Sequence, residues 1–126
     1  MKRVVAAIAL FSALTGCATF HNRNTFLDGM PPNAPVMDVA MTVENYRFTP
    51  SVIHVEAGTR LRLGITSLGS KHEIWIKEFE IHQTIPAGRT VTVDVYLAEP
   101  GEYRYGCSLG VGIHYLFGMK GRIIVE

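Results

Sequence analysis

The chain has 126 residues, 12 Lys and Arg against 11 Asp and Glu, a formal net charge of +1 and 48% hydrophobic side chains. That length suits one compact domain and is short for two. A near-neutral balance with no basic run excludes the electrostatic footprint of a nucleic-acid binder.

The chain opens with MKRVVAAIALFSALTGCATF, a basic start at Lys2 and Arg3, an apolar stretch from Val4 to Leu14, then Leu14-Thr15-Gly16-Cys17. The apolar stretch is too short to span a bilayer and has the flanks of a secretory signal. The four residues ending at Cys17 resemble a bacterial lipobox, which implies cleavage before Cys17 and a lipid on its sulfur. Residues 1–16 are therefore read as signal and set aside from the fold. The expected location is the periplasmic side of an outer membrane, or the extracytoplasmic face of the cell membrane. Residues 17–35, with Asn, Pro and Gly and no sustained period, are expected to be a lipid-anchored flexible tether. The domain is expected at 36–126.

From Val36 onward the chain breaks into short apolar or alternating runs. Strands are predicted near Met37 to Val43, Val52 to Glu56, Arg60 to Thr66, Glu73 to Ile76, Thr90 to Tyr96, Glu102 to Tyr105 and Gly121 to Val125. The separators include Ala57-Gly58, Leu68-Gly69-Ser70, Pro86-Ala87-Gly88 and Glu99-Pro100-Gly101. No segment after Val36 holds a 3.6-residue apolar period over three turns, so a substantial helix is not expected. Seven short strands with regular turn signals predict an all-β Greek-key sandwich. Alternation sorts the faces: Ile53 and Val55 inward against His54 and Glu56, and Val91, Val93 and Val95 inward against Thr92, Asp94 and Tyr96.

The chemistry concentrates in CSLGVGIHYLFGM, residues 107–119. With Cys17 lipidated, Cys107 has no second cysteine to bond, and a lone exported thiol oxidises or cross-links unless buried or engaged. Burial as a small hydrophobe is one explanation; metal ligation is the sharper one. A redox copper site needs ligands tolerable to Cu(I) and Cu(II), namely a thiolate, neutral imidazoles and often a weak thioether. Cys107, His114 and Met119 supply three from one loop. The second imidazole is expected from His72, which stands at the mouth of a strand with Ile74 and Ile76 following it at period two. His54 and His82 fall on outward positions and His21 in the tether, so none is expected in the site. Trp75 alternates away from His72 and reads as packing or surface.

ITSLGSKHEIWIKEFEIHQTIPAGRT, EPGEYRYGCS and GMKGRIIVE together resemble the copper-binding domain of cytochrome c oxidase subunit II, a cupredoxin. YRFTPSVIHVEAG resembles the opening strands of cupredoxins generally. The likeness runs from about Val43 to Glu126. The subunit II domain bridges two coppers with two cysteines four positions apart, whereas the place four after Cys107 is Val111. The resemblance thus implies a mononuclear centre, one copper ion. The Cys107-to-His114 segment is longer than the usual blue-copper loop and includes Gly110 and Gly112. That length leaves the axial role of Met119 and the spectral class open.

Gly106 and Ser108 flank Cys107, so the cysteine-adjacent histidine that wires a type 1 copper to a catalytic copper is missing. No HExxH, GxSxG, phosphate loop or CxxC is present. The expectation is a non-enzymatic, lipid-anchored cupredoxin passing single electrons between redox partners such as a cytochrome or oxidase. Val111, Ile113, Leu116 and Phe117 could form an apolar docking patch around His114. The rivals are copper delivery or storage, with a copper donor or acceptor as partner, and a metal-free cupredoxin-fold binding module. A small mononuclear enzyme would have no signature of its own.

Overall fold

Side-chain alternation builds two facing sheets in the computed structural model, which describes residues 23–108, 113–116 and 118–126. The strands are β1 (Thr25–Phe26), β2 (Val36–Glu44), β3 (Arg47–Thr49), β4 (Val52–Val55), β5 (Thr59–Ser67), β6 (His72–Ile76), β7 (Ile81–Ile85), β8 (Thr90–Leu97), β9 (Gly101–Gly106) and β10 (Lys120–Val125). One sheet has the order β1-β8-β5-β2-β3 and the other β4-β10-β9-β6-β7. Both are mixed: β2 with β5, and β4 with β10, pair in parallel among otherwise mostly antiparallel neighbours. A one-turn helix α1 (Ile113–Leu116) and a single 3-10 turn (Lys77–Phe79) complete the described elements.

β5 buries every second residue along its whole length, and Leu61, Leu63 and Ile65 are sealed from solvent. They meet Ile74, Ile76, Ile123 and Val125 of the facing sheet in one hydrophobic core. Each such side chain contributes about 1.5–3 kcal/mol of burial free energy. Val93 and Val95 are buried and Val91 packs at the core's margin; Ile53 and Val55 point in while His54 is exposed.

All seven expected strands form, and the sandwich is all-β. Three further short strands join them. β3 has only three residues between Asn45-Tyr46 and Pro50, and β7 is apolar only at its ends, so neither carries a period long enough to read. β1 lies within the stretch expected to be a tether. Thr25 and Phe26 pair in parallel with Asp94 and Val95, and Arg23 exchanges main-chain hydrogen bonds with His82. Phe26 meets Phe79 at a tilt, ring centroids 5.0 Å apart, and packs against the core. The sheet therefore takes up the chain well before Val36, and the physical reason is the burial of Phe26. Cys17 and the signal segment lie outside the described residues.

Gly121 marks a close approach. A Cβ there would run into the Ser51 carbonyl and the Tyr105 ring. That ring is buried, packs edge-on to Phe48 at 5.2 Å, and donates its hydroxyl to the Ser51 carbonyl at 2.9 Å. Gly121→Ala is expected to lower stability by about 1–3 kcal/mol through overpacking, measured by urea unfolding.

Candidate metal centre

Two strand ends and the segment between β9 and β10 bring three of the expected ligands, His72, Cys107 and His114, together. His72 opens β6, faces inward opposite Ile85, and is wholly buried. Cys107 follows the last residue of β9, and Gly106 before it pairs with Trp75 of β6. The loop then returns through α1 to Met119. The Met119 N–H donates to the His114 carbonyl and the Cys107 N–H to the Met119 carbonyl, each at 3.0 Å. Gly118 has φ +102°, a conformation L side chains rarely adopt, and it turns the chain so that Met119 is buried.

One ligand atom from each of His72, Cys107 and His114 lies within 4.8 Å of the other two. Cys107 Sγ is 3.8 Å from His114 Nδ1, and the two imidazole rings are 5.5 Å apart. Bonds of roughly 2.0–2.3 Å from a common ion place its ligands roughly 3–4.5 Å apart, so the spacing suits one metal. His72 Nδ1 is buried with no hydrogen-bond partner. A buried polar atom is normally paired, and an orphaned imidazole nitrogen on a ring that belongs to a thiol-imidazole cluster fits a metal bond. Its Nε2 stands 3.5 Å from Ser70 Oγ, the outer contact that fixes a ligating ring. Burial, then the neighbouring His114, lowers the pKa of His72, which keeps the ring neutral and able to donate.

Cys107 is buried and forms no disulfide among the described residues. The Glu73 backbone N–H points at its sulfur at 3.4 Å, a donor that favours the thiolate. The Tyr46 ring meets His114 edge-on at 5.4 Å and 86°. Met119 is sealed from solvent beside the loop's main-chain bonds.

Sequence reasoning did not single out Glu73 or Ser108. Glu73 follows His72 and Ser108 follows Cys107. Their side chains meet on the outer face, where Ser108 Oγ donates to Glu73 Oε2 and His82 Nε2 lies 2.9 Å from the same oxygen. Burial alone would raise the pKa of Glu73, but hydrogen bonds from Ser108 and His82, with the charges of His82 and Lys71, outweigh it and hold it below the ordinary range. The signal was present in the alternation, since an acid directly after an inward ligand must face its strand neighbours. His82 is outward and outside the ligand cluster, as expected, yet it braces this clasp. Glu73→Ala is expected to cost the metal-free protein about 1.5–3 kcal/mol, read from denaturant midpoints.

His54 is exposed beside Glu126, and Trp75 is outward. Of the expected apolar patch, Leu116 is 82% exposed; Val111, Phe117 and the side chain of Ile113 lie outside the described residues, as do His21, Gly110 and Gly112.

A two-sheet β-sandwich with a thiol and two imidazoles gathered at one end defines the cupredoxin class. A family model described as cupredoxin-like domain matches residues 5–125. The chain belongs to that family. Among solved structures, it is similar to dithionite-reduced auracyanin from the photosynthetic bacterium Roseiflexus castenholzii, at 19% identity and TM-score 0.57, over 71% of this chain and 96% of that one. It is also similar to the metal-binding domain of the Streptococcus pneumoniae Cu(I)-exporting ATPase CopA, at 18% identity and TM-score 0.62, over 75% and 88%. A chain of a heme-copper terminal oxidase dimer matches at 19% identity and TM-score 0.65, over 75% and 66%. These likenesses show a shared fold. No curated protein sequence matches the chain.

Proposed function

We propose that the protein is a lipid-anchored, extracytoplasmic electron carrier for one copper ion, which His72, Cys107 and His114 would hold, with the Met119 thioether as a further weak donor. The observation that carries the reading is the buried, unpartnered Nδ1 of His72 in a cluster with a thiol and a second imidazole. Copper, when bound, supplies a one-electron couple between Cu(I) and Cu(II). Thiolate with imidazole is the donor set that suits both states.

The chain's own residues do the rest. His72 is held neutral by burial, and Cys107 is held by the Glu73 N–H and by its main-chain bond to Met119. Ser108 and Glu73 tie the two ligand-bearing strand ends together, which limits movement of the donors between redox states. His114 is half-buried, and its exposed edge is the route for electrons to a cytochrome or oxidase. The anchor is the lipid on Cys17, at the periplasmic side of the outer membrane or the outer face of the cell membrane. Cys107 stands between Gly106 and Ser108, with no adjacent histidine to lead electrons to a catalytic copper, and the reading is of a carrier rather than an enzyme.

Titrating the full chain with Cu(II) is expected to saturate at one equivalent with an intense visible thiolate band. The loaded protein should then cycle reversibly at an electrode without losing copper to a Cu(I) chelator. Rapid transfer of Cu(I) to the chelator would instead identify copper delivery, and no stoichiometric uptake a metal-free module.

A further inference from the structure

The outward face of the β4-β10-β9-β6-β7 sheet carries charge that neither the core nor the ligand cluster uses. Register places Arg122 directly across from Arg104, and Lys120 across from Gly106, whose other neighbour is Trp75. Like charges directly opposite in a sheet are unfavourable. Glu102 relieves Arg122 at 3.5 Å, but the Arg104 side chain has no hydrogen-bond or ion-pair partner among the described residues. The other sheet contrasts with this. Its outward Arg60 and Arg62 both reach Asp94, at 3.0 and 3.1 Å.

Arg104, Lys120 and Arg122, with Val52 and Glu102, line a groove of about 350 Å³. Beyond bare Gly106 stands Trp75, 46% exposed and the chain's single tryptophan. Exposed Trp and Arg are the residues that dominate protein-protein binding, and a guanidinium fork accepts a carboxylate bidentately.

We propose that this face docks the carboxylate-rich surface of a partner protein, with Arg104 and Arg122 gripping acidic side chains and Trp75 as the apolar anchor. A concave groove with Glu102 in its wall and Glu73 on the same face suits a surface of discrete carboxylates. An anionic bilayer would have to press those two acids against like charge. Gly106 precedes Cys107 and Lys120 follows Met119, so a docked partner stands against the two strands whose ends adjoin the sulfur residues. Its use in electron exchange rests on the proposed function; the docking itself does not.

Metal-free full-chain protein, titrated with poly-L-glutamate, tests it with Trp75 emission as the readout. Saturable binding is expected, weakening roughly tenfold or more from low to physiological salt. Arg104→Glu should weaken it about tenfold or more at low salt, and Arg104→Gln, which adds no charge, by less in the same direction. Melting curves and copper uptake matching wild type confirm that the variants fold. The proposal is overturned if poly-L-glutamate leaves the emission unchanged, if both Arg104 variants bind as wild type does, or if phosphatidylglycerol vesicles bind while poly-L-glutamate does not. Probe and readout need no copper, so failure here leaves the metal site standing, and failed copper uptake leaves this surface standing.

Discussion

Cys107→Ser is expected to abolish the intense visible band of the copper-loaded protein and to weaken copper binding by at least about 100-fold, roughly 2.7 kcal/mol. The sulfur is the one soft anionic donor in the cluster, and a serine hydroxyl stays protonated where a thiol ionises. The fold should survive, because serine is nearly the same size and the Glu73 N–H keeps an acceptor at that place. Far-ultraviolet circular dichroism of the metal-free variant should match wild type. Absorption and copper stoichiometry report the loss. A variant that still bound one copper with an unchanged band would remove the thiolate from the site.

His72→Leu is expected to move stability and binding in opposite directions. The wild-type ring buries a nitrogen with no partner, and an unsatisfied buried polar atom is costly. Leucine fills a similar volume without that atom, so the metal-free variant should be more stable by about 1–2 kcal/mol. With copper the order reverses, because only wild type gains from binding, by about 2.7 kcal/mol at a free concentration 100 times the dissociation constant. Urea unfolding of both proteins with and without copper reads the crossing. A histidine kept for structure would show the opposite sign in the metal-free pair.

Much of this arrangement was legible in the chain. Period-two runs long enough to repeat, such as TVTVDVYL and the residues around Leu61, gave strands whose inward sides are the observed core. His72 could be placed because Ile74 and Ile76 set the face it shares. Cys107 and His114 could be placed because they bracket one loop ahead of a closing strand. What stayed hidden depends on contacts distant in sequence. A two-residue strand at Thr25–Phe26 has no period of its own and is fixed by pairing with β8 and by Phe26 meeting Phe79. The clasp of Glu73, Ser108 and His82 joins two strands and the segment that follows β9, and each member reads in isolation as an ordinary outward polar residue. Arg104 opposite Arg122 likewise needs the β9-β10 register, which single-strand periodicity does not contain.

His72, Cys107 and His114 are proposed to share one copper ion. Copper K-edge X-ray absorption of the full chain loaded with one equivalent tests it most directly. One short sulfur shell with two imidazole nitrogens is expected in both redox states, and the sulfur shell should vanish in Cys107→Ser. A first shell of oxygen and nitrogen alone, or a copper-copper vector, would contradict it.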